Sequence, residues 1–400
     1  MTQRAGIRDR LAEIRAGTHA VIDLDRYAQN LKLLAGAAGP ATRLMAVVKA
    51  NAYGHGAVAC ARAAVEAGCA YLGVARIDEA LQIRRSGVTA PILVIGPPNP
   101  AQIAVALDHN IALTVSTMES VAGVLAGAAK SAQAATVHIK VDTGLHRYGA
   151  LPELAVQLAR AVERAEHATL EGLYTHYSSA DEEDAGPTWQ QIAAFRSTLE
   201  AVHANGIRPA LIHNANSAAI LADLFPESNM VRAGIASYGL DPSNEIPVAP
   251  EFRQILSVHS VLTRRFTLPA GESVSYNRTY TASADEEAGA VPIGYADGIE
   301  RHLSNRGWFV HASGVCPIIG RVCMDQTVAR VPATAREGDV LTIIGDGQDG
   351  AMTVAEVGRL CATNTYEPVT RIAARVPRLY IRAGVPHSWS VPILGEAGTF

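Results

Sequence analysis

Residues 44–56 read Leu-Met-Ala-Val-Val-Lys-Ala-Asn-Ala-Tyr-Gly-His-Gly, an apolar run that closes on Lys49 and opens into a loop of mostly small residues. The run at 44–48 predicts a buried strand. An ammonium at the end of such a strand is costly to desolvate unless it is paired, neutralised or covalently used. A neutral lysine amine condenses with aldehydes, and pyridoxal 5'-phosphate is the aldehyde cofactor that enzymes hold in this way. Lys49 is therefore a candidate cofactor lysine, although by itself a salt-bridged or snorkelling lysine explains it equally well.

Seven further apolar runs follow the first one, with helix-patterned, Ala-rich segments between them. They are residues 71–75, 92–95, 111–115, 137–141, 170–175, 211–214 and 230–235. This alternation is typical of βα units and a parallel sheet. Eight strands over about 200 residues predict an α/β fold whose N-terminal domain is a TIM (β/α)8 barrel. A doubly wound open sheet is the alternative.

From about residue 251 the sequence changes to β-branched runs broken by Gly, Pro and Asp. This pattern predicts a mostly β C-terminal domain with at most one helix, near Val354–Cys361. The intervening linker is marked by Pro242, Pro247 and Pro250. We expect a charged extension at 1–17, the barrel at 18–245, the β domain at 251–385 and a tail at 386–400. The strand predicted at 18–22 precedes the eight and is a candidate for joining the β domain.

The composition favours a soluble, cytoplasmic protein that acts on small molecules. Of the 400 residues 48% are hydrophobic and 18% are charged, and the net charge of -4 gives no overall field for capturing nucleic acid or a membrane. The five cysteines are scattered without metal-ligand spacing, so we expect reduced thiols and no metal site. The amino terminus lacks the apolar core of a signal peptide, and no run of about 18 apolar residues appears.

Polar residues collect where the predicted barrel strands end. Barrel enzymes place their chemistry on the loops at the C-terminal ends of the strands. These positions carry Lys49, Tyr53, Lys140, Asp142, His146, Arg147, His176, His213, Asn214, Asn216, Ser217, Arg232, Gly234 and Ile235. The N-terminal ends of the strands show no such clustering. We therefore expect the site at the C-terminal rim.

Residues 46–56 closely resemble the cofactor-lysine segment of alanine racemases. Further blocks similar to that family follow in the family's order, at 140–147, 171–176, 216–217, 231–235, 294–298 and 320–325. The resemblance covers residues 18–382. It implies a pyridoxal-phosphate-dependent amino-acid racemase, with alanine as the first candidate substrate and D-alanine for peptidoglycan as the product.

The resemblance also implies two proton carriers on opposite faces of the substrate Cα. Lys49 matches the residue that binds the cofactor covalently and takes the proton from the D-enantiomer. Tyr276 matches the second base, which takes it from the L-enantiomer. A racemase needs both, because one base returning its own proton would mostly regenerate the same enantiomer. The family residues that match Tyr276 and Met324 reach the site from the other subunit, so a homodimer with shared active sites is expected.

Cofactor contacts follow from the same resemblance. Arg232 matches the residue that faces the pyridine nitrogen, where a guanidinium cannot accept a proton and so limits the build-up of negative charge on the ring. His213 is expected to support Arg232, and His176 to lie against the ring. The family's phosphate contacts match Tyr53, Ser217, Gly234, Ile235 and Tyr366.

Substrate contacts and an entry gate complete the implied site. Arg147 and Met324 match contacts to the substrate carboxylate. Lys140 matches a position often carbamylated in the family, where the new anion orients the arginine. Tyr295, Arg301 and Arg321 resemble members of the gate.

One segment departs from the family pattern and keeps the substrate open. The pair Asn277-Arg278 follows Tyr276 where a small pair such as Gly-Gly or Gly-Ala is common. A serine or broad-specificity racemase is therefore the nearest alternative. A barrel-type pyridoxal-phosphate decarboxylase is a different class, against which the carboxylate contacts and the block at 320–325 argue. A cofactor-binding protein without catalysis would resemble the barrel alone.

Overall fold

The structure is a computed structural model that describes residues 10–131 and 133–400. These residues form two compact units. The first comprises Tyr27–Ala52 and Ala57–Phe252, and the second comprises the described residues up to Arg26 together with Tyr53–Gly56 and Arg253–Phe400. The first strand, β1 (His19–Asp23), belongs to the second unit.

The first unit contains eight parallel strands. They are β2 (Arg43–Val47), β3 (Tyr71–Val74), β4 (Ile92–Val94), β5 (Ile111–Val115), β6 (Ala135–Lys140), β7 (Ala168–Tyr174), β8 (Leu211–His213) and β9 (Met230–Ala233). Each strand pairs with the next along the chain from β2 to β8, and β9 pairs with β2. Backbone N–H groups of Asn229 and Arg232 donate to the carbonyls of Ile212 and Ala215, which joins β9 to β8. The predicted TIM barrel is confirmed, and the open doubly wound sheet is excluded.

One helix precedes the first barrel strand, and the others lie between successive barrel strands. The helices are α1 (Leu24–Ala38), α2 (Ala57–Glu66), α3 (Ile77–Arg85), α4 (Ile103–Asp108), α5 (Met118–Ser131), α6 (Pro152–Glu163), α7 (Gly186–Ala204) and α8 (Ser217–Leu221). Local sequence explains several helix starts. The Asn216 side chain accepts from the Ala219 N–H at 3.0 Å and caps α8. Pro152 opens α6, where no helical partner for its missing N–H is needed.

Apolar side chains fill the barrel where its strands begin. One buried cluster is formed by Met45, Tyr71, Leu93, Ala112, Leu211 and Met230, which come from six different strands. Inward side chains of a TIM barrel stack in such layers, so the interior is a packed core and not a pore. The packed layer leaves the C-terminal rim as the place for a site.

The second unit is built from β1 and twelve further strands. These are β10 (Leu256–Val261), β11 (Arg264–Leu268), β12 (Ser273–Val274), β13 (Tyr280–Thr281), β14 (Glu286–Val291), β15 (Trp308–His311), β16 (Gly314–Pro317), β17 (Thr327–Arg330), β18 (Val340–Ile344), β19 (Arg378–Arg382), β20 (Val385–Val391) and β21 (Glu396–Thr399). The large sheet has the order β16-β15-β18-β10-β1-β19-β20-β21. A three-stranded sheet has the order β11-β14-β17, and β12 pairs with β13. The mostly β C-terminal domain is confirmed.

Three details of this unit differ from the simplest sequence interpretation. The strand β1 pairs with β10 and β19 and so lies inside the large sheet. Residues 386–400, set apart as a tail, complete β20 and form β21 in the same sheet. The expectation of at most one helix was wrong, because α10 (Tyr366–Thr370) follows α9 (Val354–Cys361). Pro368 obscured α10 in the sequence, yet it lies in the first turn, where its missing N–H costs no helical hydrogen bond.

Within residues 10–131 and 133–400, no helix has the length and apolar character needed to cross a membrane.

Candidate active site

The loop after β2 carries Lys49 and turns in a left-handed sense. Residues 50–53 have φ values from 51° to 55°. Such a conformation costs a residue with a side chain about 1–2 kcal/mol, so surrounding contacts must hold it. The Ala50 N–H donates to Glu79 Oε1 at 2.6 Å, and the Ala57 N–H donates to Asn51 Oδ1 at 2.8 Å. Strained backbone that is held in this way is typical of functional sites.

Lys49 is half-buried at the end of the strand. Burial lowers its pKa from the ordinary lysine value, the positive charges of Arg147 and Arg232 lower it further, and Glu79 opposes the shift. A lowered pKa increases the fraction of neutral amine, which is the nucleophilic form. Burial and the two guanidinium groups therefore both favour the neutral amine of Lys49.

Arg232 is buried on β9 and hydrogen-bonded on several sides. Its guanidinium donates to His213 Nδ1 at 3.1 Å and to His176 Nδ1 at 3.1 Å. It also donates to the carbonyl oxygens of Thr175, His213 and Asn214 at 2.7–2.9 Å. These contacts orient the side chain firmly. His213, which was predicted to support Arg232, and His176 both accept hydrogen bonds from its guanidinium.

Both histidines beside Arg232 are held neutral. Burial lowers the pKa of His176 and His213 well below the ordinary histidine value, and the charge of Arg232 adds to the effect at both. A neutral imidazole has one donor and one acceptor nitrogen. Since an arginine only donates, Nδ1 is the acceptor in both rings.

Lys140 and Arg147 lie on β6 and on the loop that follows it. Lys140 is buried, its Nζ donates to the Tyr148 carbonyl at 2.6 Å, and it lies 3.6 Å from the centroid of the Tyr148 ring. Burial lowers the pKa of Lys140 to about 8, with further lowering by Arg147 and Arg232 and an opposing effect of Asp142. Arg147 is exposed, and its charge lowers the pKa of Lys49, Lys140 and His176. The predicted residues of the barrel rim therefore share one electrostatic environment.

Two short helical segments begin side by side beyond β8 and β9. Helix α8 begins at Ser217, and a 3-10 turn begins at Ile235. The Ser217 hydroxyl oxygen accepts from the Gly234 N–H at 2.9 Å and from the Ala236 N–H at 3.3 Å. TIM barrels commonly bind phosphate with the loops after their seventh and eighth strands. Ser217, Gly234 and Ile235, three of the residues predicted to contact phosphate, therefore lie together after the last two barrel strands.

Tyr53 and Tyr366 form a pair in the second unit. Their ring centroids are 6.1 Å apart with a tilted geometry. Burial raises the pKa of Tyr53, so its phenol stays protonated. The two tyrosines predicted to contact phosphate are thus neighbours.

Tyr276 lies on a strained loop of the second unit. Its side chain is 68% exposed. Ser275, Asn277 and Arg278 have φ values of 65°, 61° and 51°. The departure from the family pattern therefore falls on left-handed positions, where small residues such as glycine would be unstrained.

The Tyr276 loop is docked on the backbone around residue 321. The Ser275 hydroxyl donates to the Arg321 carbonyl at 2.7 Å. A Cβ on Gly320 would lie 2.7 Å from the Val274 carbonyl oxygen and 2.8 Å from the Ser275 Cβ, so a glycine is required there. The two predicted segments, around Tyr276 and around Met324, are thereby brought together.

The predicted gate residues are only partly grouped. Tyr295 and Arg301 line one surface depression together with Glu300 and Arg371. The Tyr295 N–H donates to the Cys323 carbonyl at 3.0 Å, which places Tyr295 beside the 52% exposed Met324. Arg321 lies under the Tyr276 loop and does not line that depression.

Sequence reasoning missed several polar residues of the barrel interior. His138 accepts or donates at both ring nitrogens, to His213 Nε2 at 3.0 Å and to Glu171 Oε2 at 2.9 Å. Tyr71 donates to the same Glu171 oxygen at 2.7 Å. This polar cluster joins the middle of β6 and β7 to the start of β3 and was not predicted from the sequence. The one available signal was the spacing of His138 and Lys140, since alternate residues of a strand face the same side.

Comparison with known proteins agrees with the geometry. The family described as "Alanine racemase, N-terminal domain" matches residues 22–242, and "Alanine racemase, C-terminal domain" matches residues 255–380. An alanine racemase from Geobacillus stearothermophilus is 42% identical over 373 residues, which cover 91% of this chain and 94% of that one.

Solved structures give the same result. An alanine racemase from Clostridium difficile 630 has a TM-score of 0.89 at 31% identity and covers 94% of this chain and 98% of its own. A histidine racemase from Leuconostoc mesenteroides subsp. sake NBRC 102480 has a TM-score of 0.84 at 28% identity, with coverages of 92% and 98%. Because the matches span both domains and most of the chain, the protein is an isomerase that belongs to the alanine racemase family.

Proposed function

We propose that the protein interconverts L- and D-alanine with pyridoxal 5'-phosphate bound covalently to Lys49. The observation that carries the proposal is the environment of Lys49. The sequence contains four lysines, at 32, 49, 130 and 140. Lys32 and Lys130 are exposed, whereas Lys49 and Lys140 both lie at the ends of barrel strands with lowered pKa values. Of these two, Lys49 is the one followed by a run of left-handed residues, 50–53, of the kind that is held at functional sites.

The residues of the barrel unit fit this cofactor. Lys49 provides an amine for the aldehyde, and the segments at Ser217 and Gly234 provide a helix start suited to phosphate. The guanidinium of Arg232, fixed by His176 and His213, provides a donor for the ring nitrogen and cannot accept its proton. When bound, the cofactor acts as an electron sink that acidifies the substrate Cα–H.

Two proton carriers complete the proposal. Lys49 takes or returns the Cα proton on one face of the substrate, and Tyr276 of a second copy does so on the other face. The 68% exposure of Tyr276 supports this arrangement, because it leaves the phenol accessible to a second copy. Arg147 and the Met324 backbone would hold the substrate carboxylate. We propose a cytoplasmic homodimer that supplies D-alanine for peptidoglycan.

A second candidate is a racemase with another or a broader substrate. The pair Asn277-Arg278 beside Tyr276 and the similarity to a histidine racemase favour it. Initial rates with L-alanine, L-serine, L-lysine and L-histidine separate the two proposals. We expect alanine to give the highest kcat/KM. If alanine is the poorest of the four, the proposed alanine racemase activity is wrong.

Lys140 is expected to carry a carbamate. Only a neutral amine adds carbon dioxide, and the lowered pKa of about 8 makes neutral Lys140 abundant near that pH. At constant dissolved carbon dioxide, carbamate occupancy should rise as the pH is raised through about 8, because the neutral fraction of Lys140 rises. The measurement is the carbamate 13C NMR signal of protein equilibrated with 13C-labelled carbon dioxide.

Two variants assign that signal. Lys140→Ala should remove it, whereas Lys130→Ala changes an exposed lysine and should leave it in place. An unmodified Lys140 above pH 8 would show that the residue acts as an ammonium or free amine.

A further inference from the structure

A line of hydrogen bonds runs through the barrel interior from Arg232 to the middle of β7 and the beginning of β3. It connects Arg232 to His213 at 3.1 Å, His213 to His138 at 3.0 Å and His138 to Glu171 at 2.9 Å. Tyr71 donates to the same Glu171 oxygen at 2.7 Å. Arg232, His213 and His138 are all buried. The line therefore crosses the protein interior between the candidate site and the opposite end of the barrel.

The chemistry of the two ends determines the direction of every hydrogen bond. Arg232 only donates, so His213 accepts at Nδ1 and, as a neutral ring, donates from Nε2. His138 must then accept at Nδ1 and donate from Nε2. Burial lowers the pKa of His138 as it does that of His213, so both rings are neutral. The final acceptor is the Glu171 carboxylate, whose pKa is lowered by the hydrogen bond from His138.

The reverse direction is unfavourable at both ends. It would place a proton on His213 Nδ1. That N–H would then point at an N–H of the Arg232 guanidinium, and neither group could accept. The reverse direction would also place a lone pair of His138 against the carboxylate of Glu171. A buried donor without an acceptor costs the full desolvation of that group. An ionised Glu171 therefore selects the tautomers that serve Arg232.

The backbone is adapted to this arrangement. The pairing of β6 with β7 shifts between Val137 and His138, so that Leu170 and Gly172 are paired and Glu171 is skipped. A bulge of this kind re-aims a side chain. A Cβ on residue 172 would lie 2.1 Å from His138 Nδ1, so the His138 ring occupies space that only a glycine leaves. Both the bulge and Gly172 are features that a simply apolar barrel layer would not need.

Arg232 has no charged acceptor among the hydrogen bonds found for it in the described part of the chain. Its acceptors are carbonyl oxygens and neutral imidazoles. A buried cation is stabilised by an anion or by a polarised network. Glu171, whose side chain is 31% exposed in a surface depression that Tyr71 also lines, is the anion at the end of this network.

We propose that Glu171 is a positioning residue for Arg232, acting through His138 and His213. Its carboxylate accepts the last hydrogen bond of the line and so keeps the His213 Nδ1 lone pair directed at the guanidinium. The effect on turnover rests on the proposed function, in which Arg232 faces the ring nitrogen of the cofactor. The effect on the histidine tautomers does not depend on it.

Two substitutions of Glu171 distinguish the effect of its hydrogen-bond acceptor from the effect of its side-chain size. Glu171→Gln keeps an oxygen that accepts from His138 and Tyr71, whereas Glu171→Leu has a similar size and no acceptor. Asp108→Asn is the matched control, because Asp108 lines the same depression without belonging to the line. Neutron diffraction on crystals of the holoenzyme shows the proton on each imidazole nitrogen, and steady-state kinetics give kcat and KM separately.

The expected result has three parts. In the wild type and in Glu171→Gln, His138 and His213 carry their proton on Nε2 alone. In Glu171→Leu the reverse direction is unfavourable at the Arg232 end alone, so His213 should show part of its proton density on Nδ1. We expect kcat to fall by roughly tenfold with little change in KM, the loss expected for one unmade buried hydrogen bond. In Asp108→Asn both the protons and kcat match the wild type.

Several results would overturn the proposal. One is a proton on Nδ1 of His213 in the wild type. This result would refute the proposal even if Glu171→Leu does not fold. Another is a Glu171→Leu enzyme with wild-type tautomers and kcat, and a third is Glu171→Gln behaving like Glu171→Leu. If the wild-type protein does not racemise amino acids but shows the expected tautomers, the proposed function fails and the positioning of Arg232 stands.

Discussion

Replacing Lys49 with alanine is expected to abolish both covalent cofactor attachment and racemisation. The variant loses the amine that condenses with the cofactor aldehyde and the proton carrier on one face of the substrate. Wild-type protein loaded with pyridoxal phosphate should be yellow, and borohydride should fix the cofactor on the peptide that contains Lys49. The Lys49→Ala protein should show neither property, and its racemisation of alanine should fall to the background.

Lys32→Ala is the matched control. Lys32 is exposed on α1, so its loss should change neither cofactor attachment nor turnover. Borohydride fixation on Lys140, or on any residue other than Lys49, would refute the assignment of the cofactor lysine.

Tyr276→Phe should keep the cofactor and lose most of the turnover. The phenyl ring preserves the shape of the side chain and removes the group that exchanges a proton. A positioned acid or base usually supplies at least about a hundredfold in rate, which is about 2.8 kcal/mol of barrier. We expect a loss of that size or more in kcat for racemisation in both directions.

Exchange of the Cα hydrogen with solvent deuterium distinguishes proton transfer on the two faces of the substrate in this variant. Lys49 remains, so D-alanine should still exchange its Cα hydrogen, while exchange into L-alanine should be lost. Tyr280→Phe serves as the control, since Tyr280 lies nearby and donates to Glu286. Equal exchange of both enantiomers by Tyr276→Phe would show that another group is the second base.

The barrel could be predicted from the sequence because its strands are buried on both faces. Continuous apolar runs result, and the eight observed strands end within two residues of the predicted limits. The strand at β1 was harder to place, because a short strand carries no sign of which sheet it joins. The helix α10 was missed for a local reason, since Pro368 normally argues against a helix and is tolerated only in a first turn.

The candidate site was predictable only in part. Lys49, Lys140, His213 and Arg232 could be selected from the sequence because they lie at or near predicted strand ends. In the structure the charge of Arg232 lowers the pKa of the other three. The left-handed turn after Lys49 was not predicted, because Asn51 is the one residue among 50–53 whose type favours positive φ, and Ala50, Ala52 and Tyr53 give no such signal. Nor was Glu171, because its contact with His138 depends on a strand bulge that pairing creates and sequence does not show.

A heterodimer of the two inactive chains, Lys49→Ala and Tyr276→Phe, tests most directly whether each active site is shared between two copies. With different affinity tags on the two chains, the heterodimer can be purified away from both homodimers. If each site joins Lys49 of one copy to Tyr276 of the other, one site of the heterodimer is intact and the other lacks both groups.

This heterodimer is expected to have about half of the wild-type kcat per dimer, because a twofold arrangement leaves one of two equivalent sites complete. Both parent homodimers should remain inactive by comparison. A heterodimer as inactive as its parents would contradict the claim that the two proton carriers of each site come from different copies of the chain.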